Sequence, residues 1–339
     1  MNILIVRLGA LGDIVHTIPA VAALRRAFPD ARIDWVVDAR HADVVELVTP
    51  VDHIIRLDRP TVPAWADLVR RLRPARYDVA LDFQGLMKSA VLARASGARR
   101  IIGFSIWHLR EKTARPFYSE VDSQLQPTHI IQKNLRLLST VGVKSAAVEF
   151  PLARVPSAAR DQMKRDAAGR PVALINPGAA WPNKRWPVAR YGEVGGFLRE
   201  VRGMQPYVLW GPEEQELAQK IVDASGHAAL LAPSTTTVDL VETSREAALM
   251  VSGDTGPLHI AAAVGTPSVA IFGPTDPERN GPWSADDIVV SRHAVCGCHY
   301  QRRCRQPAWC LEDVQVAEVT AAIQHRLSSG ARARAAPGE

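Results

Sequence analysis

The sequence predicts a doubly wound α/β protein of two domains, and three observations carry that prediction. At 339 residues the chain is about twice the length of a common single domain. Short β-branched apolar runs alternate with glycine-containing turns and helical stretches, the pattern of βαβ units around a parallel sheet. The alternation stops at a proline-bearing segment near residue 151 and then begins again.

Residues 2–7 form the first apolar run, as buried parallel strands do. Gly9-x-x-Gly12-Asp13 turns the chain, and residues 17–27 have helical apolar spacing, with Pro19 tolerable in the first turn. Residues 32–37, 76–83 and 99–103 read as further strands. Residues 151–157 hold two prolines and no periodicity, which suits a linker. Strands are then expected at 171–176, 205–210, 247–252 and 268–272, and an amphipathic helix at 314–327. The expected domains are therefore 1–155 and 156–327, with 328–339 a disordered tail. In such folds ligands bind beyond the carboxyl ends of the strands, which puts the expected site in a cleft between domains.

Composition narrows the class. With 47% hydrophobic and 22% charged residues the chain is ordinary globular material with ample core. The apolar start is too short for a signal peptide. The longest uncharged stretch, 255–275, is broken by Pro257, Gly265, Pro267, Gly273 and Pro274, so it reads as helix, turn and strand rather than a bilayer span. A soluble intracellular protein is expected. The net charge of +6 lies wholly in residues 1–150, with 21 Lys and Arg against 15 Asp and Glu, while residues 151–339 hold 20 of each. That asymmetry fits an anionic partner, and equally an arginine-rich composition bias.

Several motifs stand where strands end. Asp13 follows the first strand, where a carboxylate could serve as a general base or cap a helix. Asp254-Thr255-Gly256-Pro257 opens a helix after another strand, and its free N–H groups and dipole favour phosphate. Asp254 could cap that helix or hold a sugar hydroxyl, and His259 lies one turn on. Lys184 and Arg185 sit on a third strand-top loop, placed to grip a diphosphate. Glu213 and Glu214 sit on a fourth, where ribose hydroxyls are natural partners. Cys296, Cys298, Cys304 and Cys310 crowd into fifteen residues. Their spacing differs from paired C-x2-C ribbons, so a structural metal site and reduced thiols both stay open.

Four of these stretches, LGALGDIVHTIPA (8–20), PNKRWP (182–187), GDTGPLHIAAAVGTP (253–267) and FGPTDP (272–277), together resemble glycosyltransferase family 9, the ADP-heptose:lipopolysaccharide heptosyltransferases. The likeness runs in order from Met1 to about Leu327. DFQGLMKSA (82–90) and REKTARPFY (110–118) are most similar to the heptosyltransferase I branch. The resemblance implies a GT-B fold of two Rossmann-like domains, with acceptor on the first and nucleotide-sugar on the second. It implies Asp13 as general base and Lys184 as the catalytic donor-side lysine. It places Ala179, Ala180, Glu214 (or Glu213), Asp254, Thr255, Gly256 and His259 at the donor, and Arg59, Gln84, Gly85, Lys88, Arg110 and Lys112 at the acceptor. The family's paired threonines are Ala179 and Ala180 here, so phosphate bonds at that point must come from backbone or elsewhere. The cysteine cluster is more like that of heptosyltransferase II relatives.

No D-x-D occurs in the chain, so metal-independent, inverting transfer is expected, with no cofactor beside the donor ADP-L-glycero-β-D-manno-heptose. The expected partners are that donor and an anionic Kdo–lipid A acceptor, at the inner face of the cytoplasmic membrane. A cytoplasmic, peripheral monomer that binds no nucleic acid is the resulting picture. A dehydrogenase is disfavoured by the missing G-x-G-x-x-G, and a nucleic-acid-binding protein by the lack of any recognition motif.

Overall fold

The computed structural model describes residues 1–58, 61–122 and 128–335, with side chains through Ser329. Arg59, one of the expected acceptor residues, lies outside the described residues. The chain divides into two compact units, Met1–Arg154 and Val155–Glu339.

The first unit carries β1 (Asn2–Val6), β2 (Arg32–Asp38), β3 (His53–Leu57), β4 (Val79–Asp82), β5 (Arg100–Phe104) and β6 (Glu120–Asp122). They form one sheet in the order β3-β2-β1-β4-β5-β6, and every pairing is parallel. Ile3, Leu4, Ile5 and Val6 are all fully buried. A strand covered by helices on both faces must be apolar at successive positions, which is why β1 reads as an unbroken apolar run. The first long helix, Ile18–Ala27, has Pro19 in its first turn, where no intrahelical N–H is lost.

The second unit carries β7 (Val172–Asn176), β8 (Gln205–Val208), β9 (Leu230–Leu231), β10 (Leu249–Gly253), β11 (Ser268–Phe272) and β12 (Ile288–Ser291). Their order is β12-β11-β10-β7-β8-β9, the same winding as in the first unit. Ile175, Val251 and Ile271 pack on one face with Tyr191, Leu198, Ile221 and Ile323 from the flanking helices. Ala270 and Phe272 point the other way, against Leu258 of the helix Gly256–Ala263.

The strands at 53–57, 120–122, 230–231 and 288–291 were not expected, and each is a sheet edge. The closing helix is also longer than predicted. It runs Val316–Ala335, past the expected end at Leu327. Among the described residues no helix is long and apolar enough to cross a membrane.

Candidate functional site

In each sheet the winding reverses between two adjacent central strands, β1 and β4 in one unit and β7 and β10 in the other. Loops leaving the carboxyl ends of such a pair diverge, and that is where doubly wound folds bind ligands. Most of the described residues named from sequence lie on the loops that follow these four strands, whereas Arg110 and Lys112 follow β5 and Glu213 and Glu214 follow β8.

In the first unit the β1–β4 register sets Val6 beside Asp82, so the next residues, Arg7 and Phe83, meet at the strand tips. Arg7 is 6% exposed. Its Nη1 donates to the Phe83 carbonyl at 2.5 Å and its Nη2 pairs with Asp13 Oδ2 at 2.6 Å. Asp13 is not the helix N-cap. Ala10 holds that position for the helix Leu11–Val15, and Asp13 sits three residues on, its Oδ2 also 3.4 Å from the Ala10 N–H. Asp13 thus combines a buried cationic partner with a side chain 37% exposed.

The adjoining loop is built on Asp82. Its Oδ1 accepts the N–H groups of Gln84 and Gly85 at 2.8 and 3.2 Å, and its Oδ2 accepts the hydroxyls of Ser89 and Tyr118 at 2.8 and 2.7 Å. Burial pushes this carboxyl up and those hydrogen bonds pull against it, leaving it above its ordinary value. Gln84 Oε1 accepts the Leu8 N–H at 2.7 Å, which ties the loop to the turn carrying Asp13. Gly85 turns with φ +67°, a conformation that favours glycine. Lys88, Arg110 and Lys112 are exposed, and among the described residues no ion pair commits them to a carboxylate.

In the second unit the β7–β10 register sets Asn176 beside Ser252. Asn176 Nδ2 donates to Ser252 Oγ at 2.9 Å and Thr255 Oγ1 at 2.8 Å, which fixes the turn before the helix Gly256–Ala263. Thr255 occupies the N-cap position without a side-chain cap bond, so the first-turn N–H groups are not spent on it.

Asp254 caps nothing either. Its carboxylate accepts Lys184 Nζ at 2.6 Å and Thr275 Oγ1 at 2.6 Å, and lies 3.2 Å from His259 Nε2. Burial pushes Asp254 up, but the His259 hydrogen bond and the charges of Lys184 and His259 outweigh it and hold the carboxyl far below its usual range. Lys184 also lies over the Trp181 ring, 4.7 Å from its centre.

Of the two neighbouring glutamates, Glu214 is the one that turns inward. Its Oε2 accepts the Gly211 N–H at 3.2 Å and its Oε1 is 3.7 Å from Arg185, whereas Glu213 is exposed. A Cβ at Gly178 would overlap the Glu214 carboxylate, so this approach needs glycine. Ala179 is buried, its carbonyl accepting Arg185 Nε at 2.9 Å, and Ala180 is exposed.

No disulfide joins Cys296, Cys298, Cys304 and Cys310. Cys296 and Cys298 have their sulfurs 3.5 Å apart, and burial followed by its neighbouring thiols pushes Cys310 up to about 12. Among the described residues no group of three or more His, Cys, Asp or Glu is arranged to hold a metal ion. Arg7, Trp181, Asn176 and Thr275 were not anticipated as site residues. Thr275 lies inside the FGPTDP stretch, which was the available signal for it.

The sequence profile of glycosyltransferase family 9 (heptosyltransferase) matches residues 65–310. The lipopolysaccharide heptosyltransferase 1 of Pseudomonas aeruginosa is 29% identical over 323 residues, covering 90% of this chain and 87% of its own length. The structure of the E. coli heptosyltransferase WaaC with ADP superposes with a TM-score of 0.79 at 23% identity, covering 96% of this chain and 100% of that one. That of E. coli ADP-heptose lipopolysaccharide heptosyltransferase II superposes equally well, at 0.79 and 22% identity over 98% of this chain and 100% of that one. The two six-stranded parallel sheets with flanking helices are thus of the GT-B type α/β class.

Proposed function

Since the chain belongs to glycosyltransferase family 9, we propose that it transfers heptose from ADP-heptose to a Kdo–lipid A acceptor in lipopolysaccharide core synthesis. The observation that carries this reading is the Lys184–Asp254 pair beside a helix N-terminus without a side-chain cap. A lysine on a strand-top loop and free helix N–H groups are what a leaving diphosphate needs.

In the proposed step an acceptor hydroxyl oxygen bonds to the anomeric carbon as the carbon–oxygen bond to ADP breaks. Asp13 takes the hydroxyl proton, and Arg7 holds that carboxylate in place. ADP leaves with the bonding electron pair, its developing charge met by Lys184, the first-turn N–H groups after Thr255 and the backbone at Ala179 and Ala180. Asp254, held by Lys184, His259 and Thr275, orients the lysine, and Glu214 receives the ribose hydroxyls. Attack opposite the leaving group inverts the anomeric centre. The charge on the diphosphate is met by protein groups, so the transfer proceeds without a divalent ion.

The first unit is assigned the acceptor, with the Gln84–Gly85 loop shaping its site and Lys88, Arg110 and Lys112 facing its carboxylates and phosphates. The second unit is assigned the donor. The enzyme then works as a monomer in the cytoplasm, at the membrane periphery. The test is a transfer assay with ADP-heptose and two acceptors, Kdo2-lipid A and its heptosylated product. Preferential use of Kdo2-lipid A is expected, and transfer only to the heptosylated glycolipid would replace this acceptor assignment.

A further inference from the structure

The cysteine-bearing segment is the one strong sequence feature that the proposed reaction leaves unused. Two of its residues and one of its backbone carbonyls hold the loop that carries Lys184. Asn183, 3% exposed, donates Nδ2 to the Gln301 carbonyl at 3.0 Å and reaches the Cys298 sulfur at 3.5 Å. On the other side of the lysine, Trp309 Nε1 donates to the Arg185 carbonyl at 3.0 Å. The residues before and after Lys184 are therefore both pinned to the segment that holds the cysteines. Lys184 alone is turned away from it, to Asp254.

We propose that Asn183 is a positioning residue for Lys184, and that the segment from Cys298 to Trp309 is the brace that sets the lysine loop for the donor. The proposal rests on the donor role given to Lys184 above. A lysine has a flexible four-carbon stem. Its ammonium is held over a phosphate economically only if its backbone is already fixed. The amide orientation of Asn183 follows from chemistry, because only its nitrogen can face the Gln301 carbonyl. Its Oδ1 is buried without a hydrogen-bond partner among the described residues. An amide kept here despite that cost fits a positional role better than a packing one.

The test is a double-mutant cycle read by ADP calorimetry on the full chain. Lys184→Ala, Asn183→Ala and the pair are compared, with Trp309→Phe as a second, ring-preserving probe of the same brace. Asn183→Ala and Trp309→Phe should each weaken ADP by about three- to tenfold, the range for one net hydrogen bond. Neither should weaken it further in the Lys184→Ala background, because a residue acting through the lysine has nothing left to position. Full additivity, or unchanged ADP affinity in both Asn183→Ala and Trp309→Phe, would overturn the brace while leaving the donor reading intact. Unchanged affinity in Lys184→Ala would overturn the donor reading and the brace with it. Should Asn183→Ala fail to fold, the Trp309→Phe cycle decides alone.

Discussion

Both contacts to the Asp13 carboxylate fall on Oδ2, so the group is anchored without being enclosed. Asp13→Asn keeps the size and removes proton acceptance, and it should lower turnover by roughly 10²–10⁴-fold. Gly178→Ala makes a different kind of prediction. The clash is with the flexible end of Glu214, so the fold should tolerate it, yet ADP affinity should fall because the carboxylate is displaced. Thermal unfolding and calorimetry on the same sample separate the two effects. Asp254 makes a prediction in pH. Its native carboxyl lies below the ordinary value of 3.8, so its contribution to stability is present above that value and is lost as pH falls through the native one. The stability gap between the natural protein and Asp254→Asn should stay level from neutral pH to about 5 and narrow below about 4. At this scale Asp13, Lys184 and Asp254 were legible because they follow apolar runs and glycine turns. Arg7 was not, since an arginine at a strand end reads as surface until the β1–β4 register buries it.

Elements were legible in proportion to their burial. The central strands β1, β7, β10 and β11 are buried at nearly every position, so they show as apolar runs. The edges β3 and β12 are largely accessible and β9 has two residues, so each shows only a short apolar stretch, two residues in β3 and three in β12. The closing helix runs past its expected end, and within it Ser328 and Ser329 bond back to the His325 carbonyl. That helix is held by Arg326, whose Nε meets Asp287 Oδ1 at 2.8 Å, with side-chain exposures of 9% and 2%. Removing one partner of a buried pair strands the other. Arg326→Ala should therefore cost about 3–5 kcal/mol in denaturant unfolding, far more than loss of an exposed pair such as Lys220–Glu216.

At the scale of the whole molecule, the charge asymmetry seen in the sequence survives in the fold. Many basic residues of the first unit are neutralised locally, as Arg25 is by Asp52 and Arg100 by Glu120, whereas Lys88, Arg110 and Lys112 are exposed. Neutralising these three together should weaken apparent acceptor affinity and flatten its salt dependence, since salt screens such attraction over about 10 Å at 0.1 M. ADP affinity should not change, and loss of donor affinity instead would mean that the two units have been assigned the wrong way round. EDTA should leave initial rates intact, and activity lost and then restored by magnesium would replace the metal-independent mechanism. The proton-accepting role of Asp13 is measured most directly by the rate of heptose transfer from ADP-heptose to Kdo2-lipid A in Asp13→Asn, with ADP affinity determined on the same preparation. Turnover should be lowered by at least about 10²-fold with ADP affinity unchanged. Near-normal turnover in Asp13→Asn would contradict that role, because a carboxamide cannot accept the acceptor's proton.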